Sequence, residues 1–322
     1  MQPISLTQLL EAGCHFGHKA DRWHPKADIF IYQKRDGIHV IDLAKTKAGL
    51  EAAAEFVKNM VADGKTIVFI GTKRQAATII REEATRVGAP FMIQRWVGGL
   101  LTNWPEINKN LEKVRRLTEE QETGAWNKFP KHERVKLAHH LAKLNHLYEG
   151  VVQLMSPPDA LFVVDVKKEQ VSILEARKMG VPVIGVVDTN SDPDMADYVI
   201  PSNDDAVGAI SLIVKYMADA YEEGRQAFTK ESEKAAKEAE KEKTKAAEKV
   251  EPQRKPETTP AEGVQSKKEV TKEIKKQVET AEKSTAKPEV KATPTAAKPK
   301  VEEKPESEAE KPKRGRKKKI EN

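Results

Sequence analysis

Thr66-Ile67-Val68-Phe69-Ile70-Gly71-Thr72-Lys73-Arg74-Gln75 decides how the chain folds. The continuous apolar run marks a strand covered on both faces, as in a parallel sheet. Gly71 breaks it, and a helical pattern follows at once and lasts to Val87. The same unit then recurs. Phe91-Met92-Ile93-Gln94 is a second strand. Ala160–Val164, introduced by Pro157-Pro158-Asp159, is a third and leads to a helix from Gln170 to Met179 that Gly180 ends. Val181–Val187 is a fourth strand. Tyr198–Pro201 is a short edge strand, followed by a helix from Ala206 to about Arg225 capped by Asp204 or Asp205. The alternation predicts an α/β fold: a doubly wound, flavodoxin-like parallel sheet in three layers.

One segment interrupts the alternation. Trp104, Ile107, Leu111, Val114 and Leu117 step by three or four residues. After a polar stretch, Glu119 to Lys128, Pro130 restarts a helix in which Leu137, Leu141, Leu144 and Tyr148 keep the same spacing. Two amphipathic helices joined by a polar turn predict an antiparallel, coiled-coil hairpin inserted over residues 103–150. Its exposed faces are expected to carry Lys109, Lys113, Arg115, Arg116, Lys131, Arg134, Lys136 and Lys143. Before the first parallel strand, Ser5-Leu6-Thr7-Gln8 reads as a capping box for a short helix to about Ala12. Ile29–Tyr32 and Ile38–Ile41 flank Lys34-Arg35-Asp36-Gly37, a hairpin signal. Asp42 caps a helix from Leu43 to about Ala62, ended by Gly64.

Three stretches carry candidate chemistry. Arg95-Trp96-Val97-Gly98-Gly99-Leu100-Leu101-Thr102-Asn103-Trp104 joins an arginine, a glycine pair and a helix start, with Thr102 or Asn103 as N-cap. Glycine backbone, arginine and a helix N-terminus together fit a phosphate-bearing partner. The plainer reading is a tight turn with both indoles in the core. Gly71-Thr72-Lys73-Arg74 offers the same chemistry, although neither G-x-x-x-x-G-K-[ST] nor G-x-G-x-x-G is present. Gly13-Cys14-His15-Phe16-Gly17-His18-Lys19, with Arg22, Trp23, His24, Pro25 and Lys26 behind it, is a glycine-broken loop of histidine, base and aromatics. Cys14, His15, His18 and His24 raise zinc as a reading, but no second Cys/His pair stands at ligand spacing, and a loop facing solvent or RNA is favoured. Asp188, Asp192 and Asp194 raise Mg²⁺ in the same way; Asx turns and caps account for them as well.

Every Trp, Tyr and Phe lies at or before Phe228, so the core belongs to residues 1–228. That part carries 29 Lys+Arg against 30 Asp+Glu, a net of −1, although the whole chain is +6. Affinity for a polyanion must come from local patches, such as the hairpin with nine bases and five acids from Ile107 to Lys143. Residues 229–322 hold a net +7 and are rich in Lys, Glu, Ala and Pro. They predict a charged tail, partly helical to about Lys249 and then disordered, ending in the basic run Lys313–Lys319. A single cysteine allows no intrachain disulfide. With no signal peptide and no membrane-length apolar run visible, the expectation is a cytoplasmic protein.

R-W-x-G-G-x-L-T-N-W resembles a signature of the bacterial small-subunit ribosomal protein S2 family. G-x-H-F-G-H, W-x-P-K, G-T-K-R, D-A-L-F-V-V-D, V-D-T-N-S-D-P-D and I-P-S-N-D-D-A also match, so the resemblance runs from about Ile4 to Gln226. Asn145 and Glu149-Gly150 depart from a more usual acidic residue and Gly-Gly pair. The resemblance implies a structural constituent of the small ribosomal subunit, lying between head and body, with no enzymatic chemistry, no cofactor, no small-molecule substrate and no membrane. Its partners would be small-subunit (16S-type) rRNA and neighbouring proteins, including ribosomal protein S1, which it would help to place. The residues expected to face RNA are His15, His18, Lys19, Arg22, Lys73, Arg74, Arg95, Trp96, Gly98, Gly99 and Asn103, with Lys109, Lys113, Arg116, Lys131 and Arg134 on the hairpin. The competing reading is an α/β enzyme that binds a nucleotide or phosphosugar at the strand ends, which rests on fold analogy alone.

Overall fold

The computed structural model describes residues 3–248, with side chains to residue 232. Helix α1 (Leu6–Glu11) begins at a complete capping box, with Ser5 and Gln8 each bonding the other's backbone N–H. Strand β1 (Phe16–Lys19) follows, then β2 (Ile31–Arg35) and β3 (Ile38–Ile41). These three form a small antiparallel sheet in the order β1-β3-β2. Asp36 and Gly37 both have positive φ, 49° and 76°, the twist that a two-residue hairpin turn requires. Asp42 accepts from the N–H of Ala44 and starts α2 (Leu43–Ala62).

The large sheet and its helices come next: β4 (Ile67–Ile70), α3 (Arg74–Val87), β5 (Phe91–Met92), α4 (Trp104–Glu122), α5 (Lys131–Tyr148), β6 (Ala160–Val164), α6 (Gln170–Met179), β7 (Val183–Val187), β8 (Tyr198–Pro201) and α7 (Val207–Glu248). Its order is β5-β4-β6-β7-β8, every pair parallel. Counted from β4 as the first strand, that is the 2-1-3-4-5 order of flavodoxin-like sheets, with the reversal of direction between β4 and β6.

The period of two sorts the strand residues into two cores. Ile67, Phe69, Phe162, Ile184 and Val186 pack with α1, α2, α3 and α7 on one face. Val68, Ile70, Leu161, Val163, Val183 and Val187 pack with α4, α5 and α6 on the other. Phe69 and Phe162 meet edge to face at 5.1 Å. Such a buried ring is worth about 3–5 kcal/mol against alanine. The helical hairpin continues the second core rather than standing apart from it. Ile107, Leu111, Val114, Leu117, Leu141 and Tyr148 are buried, and Trp126 is buried in the 3-10 turn at the tip, where its indole N–H donates to Glu120.

Five local expectations need correction. Gly17–Lys19 lies in strand β1 rather than in an irregular loop, because His18 donates its N–H to Thr189 and β1 pairs with β3. Ile29 and Phe30 belong to a 3-10 turn started by Pro25, not to the strand. The strand at Phe91 stops after two residues, since Ile93 and Gln94 already leave the sheet. The turn before α7 is capped by Asn203, whose side-chain oxygen accepts from Asp205 and Ala206, because Asp204 is drawn inward. Arg115, expected on the outer face of the hairpin, instead turns inward and donates to the carbonyls of Val152 and Leu154. The reading of residues 249–322 as a disordered tail with a basic run at Lys313–Lys319 lies outside the described residues.

Candidate nucleic-acid interface

Because all five strands are parallel, their C-terminal ends share one edge. The segments that leave it are Gly71–Lys73, Ile93–Asn103, Asp165–Glu169, Asp188–Asp192 and Ser202–Ala206. Strand β1 lies against the same edge. His18 donates its N–H to Thr189 Oγ1 at 2.9 Å, and the N–H of His24 donates to the Thr189 carbonyl at 2.7 Å. A Cβ on Gly17 would stand 2.7 Å from the Thr189 methyl, so this contact needs glycine. Most of the residues read as RNA-facing therefore collect on one edge from segments far apart in sequence.

At the centre of the edge, charge is satisfied internally. Lys73 is 14% exposed and its ammonium lies 2.8 Å from Asp204, 2.6 Å from Asp205 and 3.4 Å from Asp165. Burial alone would lower the lysine pKa; the bonds to Asp204 and Asp205 overcome it and hold the ammonium charged well above its ordinary range. His18 Nδ1 sits 3.0 Å from Asp188 and Nε2 3.4 Å from Asp205. The bond to Asp188 raises the imidazole pKa against the effect of burial. Asp204 is fully buried, and burial with the nearby charges of Asp188 and Asp165 pushes its pKa up to about 7. Glu169 is buried too and raised for the same first reason, with Thr72 donating to it.

The histidine loop and the aspartate turn, read separately in sequence as possible metal sites, each give up part of their set. Cys14 is in the hydrophobic core and takes no part. Asp192 and Asp194 hold Lys26. What comes together is His18, Asp188 and Asp204, one ligand atom from each lying within 4.8 Å of the others. The second oxygen of Asp204 has no hydrogen-bond partner. One imidazole and two carboxylates in this arrangement can close around a divalent cation.

The Arg95–Trp104 loop is folded around another carboxylate. Glu175 of α6 accepts from the Trp96 indole N–H at 3.0 Å, the Gly99 N–H at 2.8 Å, the Leu101 N–H at 3.4 Å and the Thr102 hydroxyl at 3.2 Å. Burial would raise its pKa, but these donors, the Gly99 N–H foremost, hold the carboxyl below its usual range. Gly99 has φ +90°, and its N–H is one of the four donors. Trp96 and Trp104 are half-buried, Gly98 and Asn103 exposed. Asn103 makes no side-chain cap to α4.

Around these satisfied groups stand cations that are not. Among the described residues, Lys19, Arg22, Arg74 and Arg95 are exposed and make no hydrogen bond or ion pair. Arg74 lines a cleft of about 380 Å³ with Thr72, Thr78, Arg81 and Gln94. Lys19 and Arg22 line another of about 390 Å³ with His18 and Asn203. On the hairpin, Lys113 and Lys131 are likewise free, while Lys109 pairs with Glu106 at 2.9 Å, Arg116 with Glu120 at 3.7 Å and Arg134 with Asn127 at 3.4 Å. His15 is half-buried against the Phe16 ring, and burial lowers its pKa. Sequence reading found the cations but not Glu175, Asp165 or Glu169. Their side-chain partners from other elements lie 73 to 97 residues away.

A sequence profile of the ribosomal protein S2 family matches residues 9–224. The chain belongs to that family. Small ribosomal subunit protein uS2 of Coprothermobacter proteolyticus is 50% identical over 226 residues, which cover 70% of this chain and 84% of that relative. Membership makes the chain a structural, non-enzymatic protein of the small ribosomal subunit, and the reading as a nucleotide or phosphosugar enzyme is set aside. Among the described residues no helix is long and apolar enough to cross a membrane.

Proposed function

We propose that this ribosomal protein grips small-subunit rRNA with the C-terminal edge of its parallel sheet. The observation that carries the reading is the contrast in pairing. Lys73 is neutralised from within, while its neighbour Arg74 and the residues Arg95, Lys19 and Arg22 project with no hydrogen-bond or ion-pair partner among the described residues. Unpaired guanidinium and ammonium groups at clefts are the chemistry that holds a phosphate backbone and fixes the register of a protein on RNA. Lys113 and Lys131 extend the same field along the helical hairpin, with Lys109, Arg116 and Arg134 more weakly disposed because each has a neighbour. Trp96, Gly98, Gly99 and Asn103 shape the loop that carries Arg95. His15 and His18 support β1, which carries Lys19.

The second partner class in the proposal is a neighbouring small-subunit protein, ribosomal protein S1 among them. The supporting observation is apolar. Leu10 and Phe16 are each 52% exposed and line one cleft with Ile38 and Val40, beside the cationic edge.

The test is reconstitution of small subunits lacking this protein. Arg74→Ala with Arg95→Ala should lower occupancy and flatten its dependence on salt, since each phosphate contact adds to the salt slope. Leu10→Ala with Phe16→Ala should keep rRNA occupancy and lose the neighbouring protein. Wild-type occupancy in the double arginine variant at all salt concentrations would refute the RNA assignment.

A further inference from the structure

Four donors of the Arg95–Trp104 loop converge on one side chain that belongs to a different element. A backbone turn whose N–H groups point inward is an anion-binding concavity. In a protein that meets RNA, such a nest would ordinarily take a phosphate oxygen. Here it is occupied by Glu175, with both oxygens used: Oε1 takes the Trp96 indole and Gly99, Oε2 takes Leu101 and Thr102. The carboxylate is itself fixed, because Ile173 and Ala176 on either side of it are fully buried in α6. The loop is pinned on the other side by Leu100 and Leu101, also buried.

We infer that Glu175 is the positioning residue of this loop: an internal anion that fills its nest, so that the loop meets RNA through Arg95, Asn103 and the exposed Gly98 rather than through its backbone N–H groups. The inference rests on the RNA-facing reading of the loop. Physically, Glu175 does two things. It replaces water on donors that would otherwise need solvation, which fixes the loop before any partner arrives. Its negative charge also keeps a phosphate out of the nest, which leaves Arg95 as the phosphate contact of this loop. Gly98 fits the same account. Among the described residues a Cβ there would meet only Glu175 Oε1, at an ordinary 3.8 Å, so their packing does not demand glycine at this position. Close approach by an outside surface would.

The experiment uses the full chain with Glu175→Ala and Glu175→Gln. The first readout is the Trp96 indole N–H resonance in the free protein. The second is affinity for small subunits depleted of this protein. In Glu175→Ala the resonance should move to the position of a solvated indole and affinity should fall about tenfold, the effect of losing one charged contact. Acetate, which can enter the vacated space, should restore both. Glu175→Gln keeps an oxygen for Trp96 and Gly99 but sets an NH₂ against Leu101, so it should hold the indole resonance and shift the Leu101 amide. An unmoved Trp96 resonance in Glu175→Ala overturns the inference. So does a loop that loosens and is restored by acetate while affinity stays at the wild-type value throughout. Failure of the RNA reading itself is separate, because it appears as unchanged affinity in Arg74→Ala with Arg95→Ala.

Discussion

Lys73 and Arg74 are adjacent, both cationic, and should behave in opposite ways. Replacing Lys73 by Met keeps the buried stem and removes only the charge. Asp204, fully buried, and Asp165, 13% exposed, then lose their counter-ion; Asp205, 52% exposed, rehydrates. Removing one partner of a buried pair costs about 3–5 kcal/mol. Asp204 already has its pKa near 7 and can take up a proton, so the cost should lie at the low end, about 3 kcal/mol at pH 8. For a domain of this size that is a fall in Tm of about 6–12 °C. At pH 5.5, where Asp204 is protonated more readily, the fall should shrink by about half. Arg74→Ala removes an exposed, unpaired side chain and should change stability by less than about 0.5 kcal/mol while weakening subunit occupancy. Thermal unfolding by circular dichroism at the two pH values decides it. A Lys73→Met variant with wild-type Tm at pH 8, or an Arg74→Ala variant destabilised as much as Lys73→Met, would refute the division of labour.

Gly98→Ala should unfold like wild type but load poorly into subunits. Gly99→Ala should lose about 1–2 kcal/mol in denaturant titration, because its φ of +90° is costly for any residue with a Cβ. In chelator, Tm should fall between pH 5.5 and 8. The folded Asp204 keeps a proton up to about pH 7 that the unfolded chain releases near 3.8, so the folded state binds more protons over that window and stability declines as pH rises. The raised His18 adds the same sign, its contribution full below its ordinary 6.5 and lost above its raised value, and Asp204→Asn should flatten the profile. Added Zn²⁺ at pH 7.5 should raise Tm with a concentration dependence set by its Kd, reversibly with chelator, and Asp188→Asn should abolish the gain.

The sheet was readable because its signals are local. Ala160–Val164, Gln170–Met179 and Tyr198–Pro201 are bounded by a proline pair, a glycine or a polar turn, and each element begins and ends where those residues stand. Strand β1 was not, because Gly17 is there to admit Thr189, which lies at the end of β7. The same limit applied to the edge of the sheet. A basic residue can be seen in sequence, but whether it is free cannot. Arg74 and Lys73 read alike until the fold brings Asp204 and Asp205 to one of them. Nothing in the sequence around Glu175 sets it apart, because the four donors that point at it belong to the signature loop more than 70 residues earlier. The candidate cation set was hidden for a related reason: His18 lies in β1 and Asp188 just after β7, 170 residues apart, so no local ligand spacing joins them.

The most direct test of the central claim is a cryo-EM map of the small subunit with this chain bound. The rRNA density should lie against the C-terminal edge of the parallel sheet, with phosphates within reach of Arg74, Arg95 and Arg22 and none in the nest held by Glu175. An orientation that turns this edge to solvent, with RNA instead against the opposite edge near Gly64, Gly88 and Arg225, would contradict it.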